Sequence, residues 1–127
     1  MTVGILMPIY ETTVTLKGKL NEELDLDKHT KQLINILNKV PELENVSTKN
    51  RKSYYGNWTE INANIDMFGS LSGILKKIEE GAPYNLIIRI SRNLDASSFD
   101  EAKNTAYDWL KEVGNLLEKE MSLKVTM

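Results

Sequence analysis

Apolar and polar residues alternate along some stretches of this chain and recur at helical spacing along others. In VGILMPIYETTVTLKGKL the alternation is clear from Thr13, where Thr13, Thr15, Lys17 and Lys19 oppose Val14, Leu16 and Leu20. That is the period-two signature of a half-buried strand. Pro8 cannot donate to a ladder and marks a bend or an edge. NEELDLDKHTKQLINILNKVPEL then gathers Leu33, Ile34, Ile36, Leu37 and Val40 on one helical stripe, with Asp27 as the expected N-cap and Pro41 as the stop. In RKSYYGNWTE, Gly56-Asn57 reads as a two-residue hairpin turn. Its register would pair Tyr55 with Trp58, Ser53 with Glu60, Arg51 with Asn62 and Lys49 with Asn64. Ile61, Ala63 and Ile65 then share one face of the returning strand, and Trp58, Glu60, Asn62, Asn64 and Asp66 the other. FGSLSGILKKIEEG predicts a second helix, with Leu71, Ile74, Leu75 and Ile78 inward and Gly81 ending it. YNLIIRISR is the most apolar strand. Ser98-Phe99-Asp100-Glu101 is a capping box. It opens a third helix whose stripe is Phe99, Ala102, Ala106, Trp109, Leu110, Val113, Leu116 and Leu117. MSLKVTM alternates again and closes the chain as a strand.

The predicted order is βαββαβ followed by αβ. Its first six elements resemble, in topology only, the split βαβ or ferredoxin-like arrangement. That order implies an α+β fold, a two-layer sandwich with its helices on one face of a mostly antiparallel sheet of about five strands. The apolar fourth strand belongs inside the sheet, with the final strand extending the sheet beyond it. NVSTKNRKSYY carries few apolar residues and reads as an edge, where Lys49, Arg51 and Lys52 discourage strand addition. No linker or repeat divides residues 1–127, so one domain is expected.

Composition narrows the function more than it names it. A chain of 127 residues that is 41% hydrophobic and 27% charged can bury a core without staples. It contains no cysteine, which excludes disulfides, thiolate catalysis and cysteine-ligated metal. A net charge of -2 supplies no overall field for nucleic acid or anionic lipid. MTVGILMPIY lacks the basic start of a signal peptide, and no apolar run nears the roughly 20 residues of a membrane span. These features predict a soluble, cytoplasmic protein with no membrane partner.

The candidate chemistry is sparse. GSLSG, positions 69 to 73, could hold an anion at a helix start, yet it matches neither a phosphate loop nor a nucleophile elbow. Its serines read as caps. His29, the sole histidine, is expected at the surface near a helix N-terminus. Glu22, Glu23, Asp25 and Asp27 lack the spacing of a calcium loop, and Glu79/Glu80 and Asp100/Glu101 are helix-surface pairs. No metal, cofactor or catalytic constellation is predicted, and the chain reads as a non-enzyme. Tyr55 and Trp58 lie at one end of the expected open face while Glu60 and Asp66 lie along it, which argues against an RNA platform. The same residues suit protein docking, because exposed tryptophan and tyrosine dominate interface energetics. The predicted partner-binding set is Tyr54, Tyr55, Trp58 and Glu60, with Arg51 and Lys49 at the rim. The expected function is a protein-binding module of inhibitor or immunity type, neutralising a toxin or enzyme. The alternatives are a regulatory domain that homodimerises through its sheet, and a small enzyme or ligand-binding protein using His29 or GSLSG in a pocket between sheet and helices.

Overall fold

The computed structural model describes residues 8–66, 68–79 and 81–127. Residues 3–7 of the first apolar segment and Glu80 lie outside that range. The elements run β1 (Ile9–Leu20), α1 (Leu26–Asn38), β2 (Leu43–Ser53), β3 (Gly56–Ile65), β4 (Gly69–Lys76), β5 (Leu86–Asp95), α2 (Phe99–Met121) and β6 (Leu123–Thr126). The six strands form one sheet in the order β2-β3-β4-β5-β1-β6, with every neighbouring pair antiparallel. Both helices cover the same face. The class is therefore α+β in two layers, as the alternation implies, but the ferredoxin-like order is not what forms. Among the described residues there are two helices rather than three, and six strands rather than about five.

The difference lies in GSLSGILK, expected as a helix and observed as β4. Leu71, Ile74 and Leu75 fit helical spacing, yet Leu71, Gly73 and Leu75 also fit period two, and those three are the buried ones. Tertiary pairing decides between the readings, because β4 is hydrogen-bonded along its length to β3 and β5. The close approach of strands explains Gly69 better than a helix entry does. A Cβ there would sit 2.8 Å from the Ser91 carbonyl oxygen.

With β4 a strand, residues 43–95 form a four-stranded meander. β5 keeps neighbours on both sides, β4 and β1. The final strand does not extend the sheet beyond β5 as expected. It pairs with β1, so the unit β5-α2-β6 straddles β1 and retains a split βαβ connection. β2 is the edge that its composition predicts.

Local signals explain the helices. α1 buries His29, Leu33, Ile36 and Leu37. Its N-cap is Asp25 rather than Asp27, with the Asp25 carboxylate accepting from the Lys28 N–H at 3.2 Å. Ser98 caps α2 as expected, its hydroxyl accepting from the Glu101 N–H at 3.1 Å. Glu101 reaches back one residue further than the motif requires, to the hydroxyl and the N–H of Ser97. Those two bonds hold its carboxyl below the usual glutamate range. α2 buries Ala102, Ala106, Trp109, Leu110, Val113 and Leu117, while Phe99 stays exposed and meets Tyr10 edge-on.

The core is the helix-facing side of the sheet, where Leu16, Ile61, Ile65, Leu71, Leu75, Leu86, Ile88 and Ile90 are essentially inaccessible. Asn85, just before β5, ties this layer at one end. Its backbone N–H donates to Gly18 and its carbonyl accepts from Lys76. Its side-chain oxygen accepts from the Leu20 N–H at 2.9 Å, and its amide donates to the Lys76 carbonyl at 3.2 Å. One buried residue thus joins the ends of β1 and β4 across the start of β5. Asn85→Ala is expected to leave the Leu20 N–H unpaired and cost about 1–3 kcal/mol by urea unfolding. Asn62→Ala, on the exposed face, serves as a control within about 0.5 kcal/mol of wild type.

Candidate functional site

Among the described residues no element covers the face of the sheet turned away from the helices, and the residues on that face follow from strand register. Cross-strand partners share a face. One row across this face therefore reads Lys49, Glu60, Ile74, Ile87, Lys17 and Thr126. The next row inward reads Ser47, Asn62, Ser72, Arg89 and Thr15. On the other side of the first row, Arg51, Trp58 and Lys76 align, and Lys19 stands opposite Lys124 on the far strands. Ile74 and Ile87 are a directly opposed pair at the centre, both with large exposed apolar surface.

The hairpin tip is built differently from its expected form. The turn residues are Tyr54 and Tyr55, with Ser53 paired to Gly56. Neither tyrosine has positive φ, and Gly56 at φ 126° absorbs the twist that such a turn imposes. The Ser53 hydroxyl accepts from the Tyr55 N–H at 3.0 Å and steadies the bend. Every expected pair moves accordingly. Arg51 stands opposite Trp58 instead of Asn62, and Lys49 opposite Glu60 instead of Asn64. Because partners shift by an even number of residues, Lys49, Arg51, Trp58 and Glu60 stay on the predicted face, while Tyr55 leaves it for the turn.

Of the six predicted site residues, four come together on the open face. Arg51 Nε lies 3.2 Å from Glu60 Oε2, beside half-buried Trp58, with Lys49 across from Glu60. Tyr54 and Tyr55 do not join them. They project from the tip, 97% and 78% exposed, their rings edge-to-face at 5.5 Å. The expected Tyr55–Trp58 brace is not formed.

Sequence reasoning missed most of the charge. Lys17, Lys19, Lys49, Arg51, Lys76, Arg89 and Lys124 all stand on this face, toward the hairpin-tip end, with Glu60 paired to Arg51 and Glu79 to Lys76 among them. Glu11, Glu44 and Asp95 share the face but sit toward its opposite end. Lys17 lies over the Tyr84 ring at 5.3 Å. Lys19, Lys124 and Arg89 form no ion pair with a described carboxylate. Like charges directly opposed across strands are unfavourable, so the Lys19–Lys124 pair works against the isolated fold. Each lysine lies on the polar side of an alternating strand and was legible one by one. Their grouping needed β6 beside β1.

No protein-family model matches the chain, and neither the curated proteins nor the solved structures contain a match.

The remaining sequence candidates resolve into structural roles. His29 is buried, not at the surface. With the proton on Nε2 it donates to Glu22 Oε1 at 3.0 Å, and Nδ1 accepts from the Asp25 N–H at 2.9 Å, so both nitrogens are engaged at the start of α1. GSLSG has no helix behind it. Ser70 and Ser72 stand on the open face of β4 and Leu71 lies in the core. The His29 ring and the Ser70 and Ser72 hydroxyls therefore lie on opposite sides of the sheet and do not share a pocket. Among the described residues, no three histidine or carboxylate side chains converge as a metal site, and no helix is long and apolar enough to cross a membrane.

The His29 hydrogen bond, then the nearby Lys28 charge, hold the Glu22 carboxyl below its ordinary value. A carboxyl depressed in the folded state contributes stability that is complete above its unfolded pKa and is lost as pH falls through its folded one. Glu22→Gln is therefore expected to lower stability at neutral pH, with the gap to wild type closing on the acid side. Denaturant unfolding at stepped pH values checks this.

Proposed function

We propose that this chain is a protein-binding module that docks an acidic surface of another protein against its open sheet face. Its form is that of an inhibitor or immunity-type protein that neutralises an enzyme or toxin. The observation that carries the reading is the uncovered face itself. Ile74, Ile87 and Trp58 form an apolar centre, ringed by seven bases in a chain whose net charge is -2. Such an arrangement matches the anatomy of an interface, an apolar centre within a charged rim. The excess of positive charge speeds encounter with an oppositely charged partner. Tyr54 and Tyr55 extend the surface past the sheet and suit a cleft on that partner.

The pattern suits protein better than nucleic acid. Base-binding sheets offer aromatic rings on adjacent central strands, and here the central pair is isoleucine. The Tyr84 ring is already covered by Lys17, and Glu60 stands among the bases.

The test is affinity capture from lysate, with and without nuclease, using wild type, Tyr55→Ala/Trp58→Ala and Ile74→Asp/Ile87→Asp. A stoichiometric acidic protein is expected on wild type alone, resistant to nuclease and released as salt rises from about 0.05 to 0.5 M. The purified partner should lose its activity when the chain is added. Capture that nuclease abolishes would replace the reading with nucleic-acid binding, and binding indifferent to both double variants would remove the face from it.

A further inference from the structure

The two edges of the sheet differ in how they resist a further strand. β2 carries Lys49, Arg51 and Lys52, and its ladder is broken by a bulge between Glu44 and Ser47, with Asn45 at φ 55°. Charge and bulges are what keep an edge from recruiting another chain. At the other edge, β6 pairs with β1 only at Lys17, Gly18, Lys19 and Leu20. β1 begins at Ile9 and its inner side is occupied by β5. Residues 9–16 therefore present an outer backbone edge with no strand beside it among the described residues. That stretch, IYETTVTL, has five β-branched residues and a tyrosine, no lysine, arginine, proline or glycine, and Glu11 as its one charge.

The flank of α2 beside this edge carries the aromatic Tyr107, with Lys103 and Lys111 one turn to either side. Trp109 of α2 meets Arg92 and, at the shared groove, Lys39, Val40 and Pro41 beyond α1, so the Trp109 flank faces inward. Tyr107 lies about 160° round the helix from Trp109 and so faces the edge. Phe99, at the start of the helix and about 80° round from Tyr107, packs against Tyr10 of β1. Phe99 and Tyr107 both stay exposed, as does Ile9 at 70%.

We infer that this edge binds a second copy of the chain, β1 against β1 about a two-fold axis, joining two sheets into one. An antiparallel edge is self-complementary under such an axis. Partners must share a face, so the residue numbers of each pair sum to an even value. The register centred on Thr12 uses residues 9–15 and leaves the outer side of Leu16 to Met127, which follows β6. It sets Tyr10 opposite Val14 and Glu11 opposite Thr13 of the second copy, an aromatic–β-branched pair and a charge facing a hydroxyl, with the two Glu11 side chains diagonal to each other across the axis. The edge is separate from the basic face, so this inference does not depend on the proposed acidic partner.

The test is sedimentation equilibrium on the full chain over a range of concentrations. Wild type is expected to move from monomer to dimer mass. Thr13 is exposed and pairs with Ser91 in its own copy, so it tolerates substitution. Thr13→Glu would oppose the introduced carboxylate to Glu11 of the second copy twice, raising the dimer dissociation constant about tenfold or more, equivalent to at least about 1.4 kcal/mol. Thr13→Lys would set opposite charges together and keep the dimer at least as tight as in wild type. Melting curves confirm that both variants fold. A wild type that stays monomeric overturns the inference, as does equal weakening by both substitutions. A dimer lost on Ile87→Asp but indifferent to position 13 would assign the contact to the sheet face and overturn it as well.

Discussion

The pairing of β1 with β5 is the contact on which the rest of this structure depends. It runs unbroken from Ile9 opposite Asp95 to Gly18 opposite Leu86 and joins residues far apart in sequence. Without it the meander β2 to β5 would be one unit and the β1–β6 pair another. Leu16 and Val14 of β1 lie opposite Ile88 and Ile90, all buried, and α2 packs over them. Each fully buried aliphatic side chain of this kind contributes about 1.5–3 kcal/mol. The backbone and side-chain bonds of Asn85 close the same seam at its end. The seam also turns the N-terminal strand into an inner one over its last four residues, because β6 can pair only once β1 is in place.

Placing both helices on one face follows from the same alternation that makes the strands. Each strand supplies one apolar set, and two helices with one apolar stripe each are enough to cover a single face. Thr12 and Thr59, polar side chains caught in that layer, are satisfied. Thr12 bonds the Arg92 carbonyl, and Thr59 links Asn50 to Thr30 of α1. Among the described residues the opposite face has no such cover, so its composition is free to answer to something other than the core. Its bases collect at the end nearer the hairpin tip while Glu11, Glu44 and Asp95 stand toward the other end, an asymmetry that packing alone does not require.

Alternation and caps were legible along the chain, and where they were strong they located elements well. β1, the apolar β5, the Ser98 cap and the buried stripe of α2 follow from short-range signals that tertiary contacts do not contradict. The face assignment of Trp58, Glu60, Arg51 and Lys49 survived a displaced turn, because parity withstands an even shift. Residues 69–76 failed for the opposite reason. A segment with apolar residues at both two- and four-residue spacings carries no local preference, and hydrogen bonds to strands on each side settled it. His29 was misplaced because its burial depends on Glu22 and Asp25 receiving its two nitrogens, a local geometry that composition does not reveal.

The sequence by itself determined the class, the edge character of β2, and which side of each alternating strand is polar, since these depend on neighbours within a few residues. Only the tertiary structure decided that β6 lies beside β1, that Lys19 meets Lys124, and that Ile74 and Ile87 pair at the centre of an open face. It alone also left residues 9–16 of β1 without a strand on their outer side among the described residues. Strand order is a choice among long-range pairings of similar local quality. The total burial and hydrogen bonding of the whole sheet select it, and no single segment does.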